Sequence, residues 1–381
     1  MSNKQICTRC IYDTSVPKIT FNADGICNYC EMSDNLKAQY HTGDDEGMRI
    51  WLAHVVDIKK AGKGKKYDCV IGVSGGVDSS YMLHYAIELG LRPLAVHYDN
   101  TWNSAIATEN IRKVTDALKI DLFTHVVDNR ESDDIFKSFF YAGVPEIDAP
   151  TDLGFAETHF RAASKYGIKY VLEGHTFMQE GVSPLSTMYF DGKYISSIHK
   201  KFGKKKMKTY PLMNFTAFMK WSIIKNIKKI RPYWYIHYTK QDAIKLLTEK
   251  YGWEYYGGHH LENRMSAFMH SVYLPNKFKI DQRNNTLSAL SRNGFMERDA
   301  ALVEYAKPPF VEKELVEYFK KRLNLTDEEY SKVMTDEPKY FESYPTYKKR
   351  FERLRPLFFI LAKSNLVPMS FYLKYCFPIQ K

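Results

Sequence analysis

A short apolar run, residues 67–73, leads directly into the sequence SGGVDSS (residues 74–80) and then into a helical stretch that ends before Gly90. The β-branched residues of such a run are typical of a buried parallel strand. Two adjacent glycines, Gly75 and Gly76, let the backbone approach an anion closely, and the following helix presents N–H donors and its positive dipole end. The sequence therefore predicts a strand, a phosphate-binding turn and a helix.

The polar residues of this turn indicate which phosphate chemistry it serves. No lysine follows the glycines, which excludes the P-loop of kinases and GTPases. Ser74 and Ser79 offer hydroxyl donors, and Asp78 is a better ligand for a bridging Mg2+ than a neighbour for phosphate itself. Residues 74–79 resemble the SGGxDS loop of the N-type ATP pyrophosphatases. Those enzymes cleave ATP to AMP and pyrophosphate and adenylate a carbonyl-type oxygen.

Strand and helix patterns alternate after the turn. We expect strands at about 93–98, 121–127 and 168–172, and helices at about 103–118 and 152–166. This alternation predicts an α/β fold with a doubly wound parallel sheet, of the ATP pyrophosphatase (adenine nucleotide alpha hydrolase-like) type. Ligands of such sheets bind beyond the carboxyl ends of the strands.

The predicted ATP and Mg2+ site combines the turn with the residues that follow the strand ends. The candidates for nucleotide and magnesium binding are Val73, Ser74, Gly75, Gly76, Val77, Asp78, Ser79, His97, Asp99, Gly174, Thr176 and Glu180. The catalytic candidates are Ser74, Asp78 and His175. Glu180 resembles the acidic residue that helps to hold magnesium in NAD synthetase-like relatives. A solvated loop carboxylate is the alternative for Asp99 and Glu180.

Four of the six cysteines lie near the N-terminus with the spacing C-x2-C-x16-C-x2-C: Cys7, Cys10, Cys27 and Cys30. This spacing predicts a structural Zn2+ site of the zinc-ribbon type, in which four thiolates leave no open position. Disulfides or free thiols are the alternatives, but nothing in the sequence indicates secretion. A module of about 35 residues is too small to fold on its own core, so the metal supplies folding energy.

The balance of 55 basic against 44 acidic residues gives a net charge of +11, which favours an anionic partner. No apolar run reaches the length of a membrane span, so we expect a cytoplasmic protein with no membrane insertion. The apolar stretch 357–369 predicts a buried C-terminal helix, with contact to a membrane surface as the alternative. The lysine-rich segment 200–208 predicts a solvated loop or a flap that closes over an anion.

Helical and aromatic sequence dominates after about residue 215. We therefore divide the chain into a zinc ribbon (1–38), an ATP pyrophosphatase domain (39–215) and a helical region that binds substrate or a partner (216–381). In the last region, Leu261, Met265, Phe268 and Val272 form one stripe at helical spacing.

Five segments, in chain order, resemble the N-acetyl sugar amidotransferase family, which includes WbpG-type lipopolysaccharide enzymes and pseudaminic-acid amidotransferases. They are CTRCIYDTSVPKITFNADGICNYC, VIGVSGGVDSS, LEGHT, YGGHHLENR and LPNKFKIDQR. The resemblance implies conversion of an acetamido group on a sugar, commonly nucleotide-linked, into an acetamidino group, in the synthesis of surface polysaccharide or flagellin glycans. It also implies sugar and carboxylate binding by His259, His260, Glu262, Arg264 and Arg283. For Arg283, an ion pair with Asp281 is the alternative.

The implied reaction consumes ammonia, and no cysteine of this chain has the setting of a glutaminase nucleophile. An N-terminal-nucleophile glutaminase needs cysteine after Met1, where this chain has Ser2. We therefore expect a separate glutaminase subunit as partner, and an anionic, nucleotide-linked sugar as substrate. The alternative function is a tRNA-thiolating enzyme of the same superfamily. Thiolation commonly needs further cysteines near the active site, and only Cys376 follows the turn. We therefore do not favour this function, and a nucleic-acid partner is not expected.

Overall fold

The computed structural model describes residues 4–182, 188–258, 261–364, 366–367 and 369–377. A five-stranded parallel sheet lies at its centre, in the order β3-β2-β1-β4-β5. The strands are β1 (Cys69–Gly72), β2 (Pro93–Asp99), β3 (Leu122–Val126), β4 (Tyr170–Leu172) and β5 (Lys228–Ile230).

The strand order reverses direction at β1, because β2 and β3 extend to one side of it and β4 and β5 to the other. A ligand crevice opens at such a reversal, beyond the carboxyl ends of the two central strands. The predicted doubly wound parallel sheet is thus confirmed. The prediction missed β5, which lies beyond residue 215, where the ATP pyrophosphatase domain was predicted to end. The sheet therefore extends past that boundary, and the division into domains stays a prediction.

Helices connect and cover the strands. The α-helices are α1 (Asn28–Tyr40), α2 (Asp45–Ala61), α3 (Val77–Glu88), α4 (Ala105–Leu118), α5 (Asn129–Ala142), α6 (Ala149–Lys165), α7 (Phe177–Glu180), α8 (Gly192–Phe202), α9 (Phe215–Met219), α10 (Lys240–Tyr251), α11 (Arg264–Phe268), α12 (Arg283–Arg292), α13 (Arg298–Ala306), α14 (Leu315–Arg322), α15 (Asp327–Thr335), α16 (Lys348–Arg353), α17 (Arg355–Lys363) and α18 (Met369–Tyr375). Within the described ranges, no helix is long and apolar enough to cross a membrane.

Successive side chains of the central strands face two separate hydrophobic cores. On β1, Val70 belongs to the core that includes α5, α6 and α8, whereas Ile71 belongs to the core that includes α2, α3 and α10. Every residue of β1 is buried, as expected for a strand covered by helices on both faces. This packing holds the end of β1, and therefore the turn that follows it, in a fixed position.

Two helical predictions for the C-terminal half need correction. The stripe that begins at Leu261 continues only through α11, after which residues Met269–Phe278 form a π-helix that contains Pro275. Proline lacks a backbone N–H and disturbs the ordinary helical ladder, which fits a change of helix type there. The predicted buried helix at 357–369 is α17, but only one side of it is covered. Phe358 is fully buried, whereas Phe359 is 43% and Ile360 61% exposed.

Candidate functional site

The turn between β1 and α3 has the shape that its glycines allow. Gly75 has φ +84°, in the left-handed region that favours glycine. A Cβ atom at this position would lie 2.1 Å from the carbonyl oxygen of Ala107, in the first turn of α4. No other residue fits there without moving that helix. Gly76 is the N-cap of α3, so the turn ends at the amino end of a twelve-residue helix.

Hydrogen bonds within the turn fix its backbone. The Ser79 hydroxyl donates to the carbonyl oxygen of Gly76 at 3.2 Å and accepts from the Ser74 N–H at 3.4 Å. The Gly76 N–H donates to Ser74 Oγ at 3.3 Å. From outside the turn, the Trp253 indole N–H donates to the carbonyl oxygen of Gly75 at 3.2 Å. Ser74 and Ser79 therefore shape the turn, and their contact with pyrophosphate stays a prediction.

A lysine lies between the two carboxylates that were predicted to hold magnesium. Lys240 Nζ is 3.0 Å from Asp78 Oδ2 and 3.1 Å from Glu180 Oε1. Burial raises the pKa of Asp78. Burial alone would lower the pKa of Lys240, but Glu180 and Asp78 outweigh it and raise that pKa. The structure thus brings together the two predicted acids, and sequence reasoning missed the cation between them.

Two stacked tyrosines orient Asp78. The rings of Tyr233 and Tyr238 lie 3.9 Å apart and nearly parallel, in the segment that follows β5. The Tyr238 hydroxyl donates to Asp78 Oδ1 at 2.7 Å, and the Tyr233 hydroxyl donates to the carbonyl oxygen of Asp78 at 2.8 Å. Tyr238 thus holds the carboxylate of Asp78, and Tyr233 holds its backbone.

His175 lies at the end of β4, where the sequence placed it. Its Nδ1 atom accepts from the Trp234 indole N–H at 3.2 Å, so the ring proton is on Nε2, which is 3.7 Å from Glu180 Oε2. Burial lowers the pKa of His175, and Arg231 contributes to that shift. A Cβ atom on Gly174 would lie 3.1 Å from the carbonyl oxygen of Asp78, so this strand end passes close to α3.

His97 and Asp99 have local partners. The His97 Nδ1–H donates to the carbonyl oxygen of Val73 at 2.9 Å, and Nε2 accepts from Asn103 Nδ2 at 3.1 Å. Burial lowers the pKa of His97. Asp99 Oδ1 accepts from the backbone N–H of Thr101 at 2.7 Å. His97 therefore joins β2 to the start of the turn, and contact of His97, Asp99, Val77 or Thr176 with a nucleotide stays a prediction.

The predicted substrate residues separate in space. Glu262 lies near the turn, because its Oε1 atom is 3.3 Å from the position that a Cβ on Gly76 would take. Arg264 stacks on Tyr318 and pairs with Glu312, with Nη2 3.3 Å from Oε1. Arg283 pairs with Asp281, with Nη2 2.6 Å from Oδ2, which is the alternative named above. His259 and His260 lie outside the described residues.

The lysine-rich segment is attached to α5. The backbone N–H groups of Lys204 and Lys205 donate to the carboxylate of Asp134 at 2.9–3.0 Å, and the Thr209 N–H donates to Glu131 at 2.9 Å. The side chains of Lys204 and Lys205 are exposed. The segment is therefore solvated at these lysine side chains and anchored through its backbone.

The sulfur atoms of the four N-terminal cysteines form a buried cluster, all within 4.8 Å of one another. Their sulfurs are 3.9 Å (Cys7–Cys30), 3.7 Å (Cys10–Cys27) and 3.6 Å (Cys27–Cys30) apart, and all four residues are fully buried. A tetrahedral zinc with Zn–S bonds of about 2.3 Å requires sulfur–sulfur distances of about 3.8 Å. All four cysteines are unbridged, so the disulfide alternative is not the one seen.

A buried arginine beside this cluster supports metal-bound thiolates. Arg292 is 3% exposed, and its Nη2 atom is 3.8 Å from Cys10 Sγ. Its guanidinium also lies over the Tyr12 ring at 4.8 Å and donates to the carbonyl oxygen of Tyr29 at 3.2 Å. A buried cation needs a counter-charge, and four thiolates around one divalent metal carry a net negative charge. The residues fit a zinc ion, whose identity stays a proposal.

One family model matches the chain. Residues 262–355 match the C-terminal domain of WbpG-like lipopolysaccharide biosynthesis proteins. The chain carries a WbpG-like C-terminal domain. The resemblance to WbpG-type proteins is confirmed for these residues, and the match begins at Glu262, which lies against the turn after β1. None of the curated proteins matches the sequence.

Two solved structures are similar to this chain at low identity. U34-tRNA thiolase NcsA from Methanococcus maripaludis, with its 4Fe-4S cluster, is 14% identical, with a TM-score of 0.31, over 85% of this chain and 99% of that one. NMN synthetase from Francisella tularensis is 15% identical, with a TM-score of 0.25, over 55% and 85%. Scores this low carry no argument, so the fold assignment depends on the sheet itself.

Proposed function

We propose that this protein is an ATP-dependent amidotransferase that converts an acetamido group of an anionic, nucleotide-linked sugar into an acetamidino group. The observation that carries the proposal is the junction at the turn. Glu262, the first residue of the WbpG-like domain, lies against Gly76 of the predicted ATP-binding turn. A domain related to sugar enzymes therefore begins beside the predicted site of ATP cleavage.

The chemistry explains the need for ATP. The amide oxygen of the acetamido group attacks the α-phosphorus of ATP, and the bond to pyrophosphate breaks. The product is an O-adenylyl imidate, from which AMP leaves readily. Ammonia attacks the imidate carbon, the carbon–oxygen bond to AMP breaks, and the nitrogen loses a proton to give the amidine. Each step conserves atoms and charge without a redox partner.

Residues of the crevice have defined parts in this proposal. Asp78 and Glu180 would hold Mg2+, which neutralises charge on the phosphates. Lys240 then becomes available as a cation for the departing pyrophosphate, and His175 can donate from Nε2 to an oxygen that gains charge. The turn from Ser74 to Ser79 would receive the phosphates at the amino end of α3.

A cleft next to the crevice has room for the sugar. Its volume is about 1000 Å³, and its wall includes Arg231, Trp234, Phe190 and Lys374. Trp234 connects the two spaces, because its indole N–H binds His175. Arginine and lysine beside aromatic rings suit an anionic ligand with a flat base. We place the sugar nucleotide in this cleft, since Arg264 and Arg283 have partners of their own.

Phosphorus NMR tests the proposal. The full chain is incubated with ATP, Mg2+, ammonium chloride and acetamido sugar nucleotides, with Asp78→Asn as the control. Formation of AMP and pyrophosphate that requires the sugar, and that the variant lacks, is the expected result. AMP formation on addition of tRNA and a sulfur donor, but with no sugar, would instead support the thiolating enzyme.

Ammonia supply is the last part of the proposal. We expect turnover with ammonium chloride but not with glutamine, because a separate glutaminase supplies the ammonia. All six cysteines lie in the described part of the chain: four form the N-terminal cluster, Cys69 is buried in β1, and Cys376 is buried beside α16 and α17. Efficient turnover of glutamine by the isolated chain would contradict the need for a partner.

A further inference from the structure

The N-terminal cysteine cluster is connected to the crevice through one helix, α12. This helix packs on α7, the short helix that carries Glu180, on one side. On the other side it contacts the N-terminal segment 4–38 that contains the four cysteines, here called the cysteine module. Its residue Arg292 faces the sulfur cluster, as described above. The helix α12 therefore connects the cysteine cluster to the backbone that carries Glu180.

Two asparagines near the ends of α12 make the same kind of bridge. Asn285 Oδ1 accepts from the Tyr12 hydroxyl at 2.6 Å, and its Nδ2 donates to the carbonyl oxygen of Glu180 at 2.7 Å. Asn293 Oδ1 accepts from the Ser33 hydroxyl at 3.3 Å, and its Nδ2 donates to the carbonyl oxygen of Met178 at 2.8 Å. Each amide thus accepts from the cysteine module and donates to the backbone of α7.

The contact at Asn285 is close and buried. Tyr12 is fully buried and Asn285 is 8% exposed. Gly181, directly after Glu180, has φ +85°, and a Cβ there would lie 2.6 Å from Asn285 Oδ1. A helix of one turn has little stability of its own, so these contacts decide where its backbone lies. Because the bridge is buried and hydrogen-bonded at both ends, we expect it to be rigid.

We propose that the metal-bound cysteine module positions Glu180, through Tyr12 and Asn285, for binding of the magnesium–nucleotide complex. Asn285 is then a positioning residue, since its hydrogen bond to Glu180 is to the backbone carbonyl and not to the carboxylate. Loss of the cysteine-bound metal loosens Tyr12, the bridge to Glu180 weakens, and the crevice binds the nucleotide complex less tightly. The inference depends on the proposed function for the role of Glu180, but the placement of α7 can be measured without it.

The module supplies a matched pair of variants. Tyr12 and Tyr29 contact each other edge-to-face, with ring centroids 5.7 Å apart. Each hydroxyl donates one hydrogen bond, Tyr12 to Asn285 and Tyr29 to the carbonyl oxygen of Pro17 within the module. Y12F removes the bridge to α12, whereas Y29F removes a bond of the same type that stays inside the module. A third variant, Asn285→Asp, keeps the acceptor for Tyr12 and removes the donor to Glu180.

Two measurements on the full chain decide the question. The first is hydrogen–deuterium exchange of a peptide spanning residues 176–182 in the unliganded protein. Faster exchange in Y12F, in N285D and after chelation of the cysteine-bound metal, but not in Y29F, is expected. The second is the affinity for Mn2+ with α,β-methylene-ATP, which we expect to fall about fivefold in Y12F and in N285D.

The outcomes separate the two proposals. Equal exchange at 176–182 in Y12F and the unmodified protein, or equal effects of Y12F and Y29F, would overturn the positioning role. Faster exchange with an unchanged affinity would overturn it as well. No binding of Mn2+ and nucleotide by the unmodified protein would refute the proposed ATP site, while the exchange data still decide whether the module places α7. The double variant Y12F/N285D is expected to match either single variant, because both act through one bridge.

Discussion

Replacement of Lys240 by methionine tests the charge arrangement of the crevice. The lysine ammonium is 3.0 Å from Asp78 and 3.1 Å from Glu180, and the three side chains are only 15–20% exposed. Removing one partner of a buried ion pair costs about 3–5 kcal/mol. Because the three side chains keep some exposure, the cost should be at the lower end of that range. We therefore expect K240M to lose about 3 kcal/mol of unfolding free energy near pH 8.

The loss depends on pH in a defined direction. Without the ammonium, two neighbouring carboxylates repel each other, which raises their pKa in the folded state above the unfolded value of about 4. A group with a raised pKa stabilises the fold at low pH and loses that contribution as pH rises through the raised value. The deficit of K240M relative to the unmodified protein should therefore shrink toward pH 5.

Magnesium should restore the stability of this variant. A divalent cation can occupy the space between two carboxylates that have lost their lysine, and a hundredfold excess over its Kd contributes about 2.7 kcal/mol. The assay is urea unfolding followed by tryptophan fluorescence, with and without Mg2+, near pH 8 and near pH 5.

Lys320 provides a matched control. It bridges Glu317 and Asp327, each at 2.6 Å, and is itself 15% exposed, but its two carboxylates are 73% and 86% exposed. K320M should cost much less stability than K240M, because solvent screens exposed ion pairs, and it should show no response to Mg2+. Equal losses in the two variants, or a K240M deficit that Mg2+ leaves unchanged, would refute the reasoning.

Three further predictions follow from the turn, the core and the cysteine cluster. G75A should weaken ATP binding at least about tenfold in calorimetry while the fold is retained, because the added Cβ would meet α4. The control is G64A: Gly64 also has a positive φ, +74°, but no atom lies within 4 Å of its added Cβ, so this variant should bind ATP normally. Burial lowers the pKa of His159 to about 3. Below about pH 6.5 the unfolded chain binds a proton that the folded chain does not, so the unfolding free energy should fall by about 1.4 kcal/mol per pH unit. H159L should lack this slope when unfolding is followed in urea titrations. R292M should release zinc to a competing chelator at lower chelator concentration, because the cluster loses its buried counter-charge.

Local spacing was enough to predict the turn and the cysteine cluster. Gly75, Asp78 and the four cysteines lie in short segments whose chemistry is readable without knowledge of the fold. His175 followed from one strand end and the rule for parallel sheets, whereas Glu180 was predicted from its resemblance to the acidic residue of NAD synthetase-like enzymes. These predictions needed no contact between distant parts of the chain.

Distant contacts account for what the sequence did not reveal. Lys240, Tyr233 and Tyr238 follow β5, a three-residue strand of sequence KKI that lacks the apolar run of a central strand. An aromatic segment directly after a possible edge strand was the only signal available. Arg283 pairs with Asp281, two residues away, and its contact with a substrate stays a prediction. Asn285 and Arg292 have partners more than 260 residues away, which no local pattern shows.

The distance along the chain between the cysteine module and its docking helix has a consequence for synthesis on the ribosome. Arg9 binds the backbone of Arg292, 283 positions later. At about 5–20 residues per second, roughly 15 to 55 seconds separate the emergence of these two residues. Under the zinc proposal, the cysteines can already capture the ion during that interval, and the ion supplies most of the module's folding energy. A chain made under metal shortage would complete α12 without a folded cysteine module for it to pack on. The lack of metal at the start of translation would then disturb folding only when α12 emerges, late in translation.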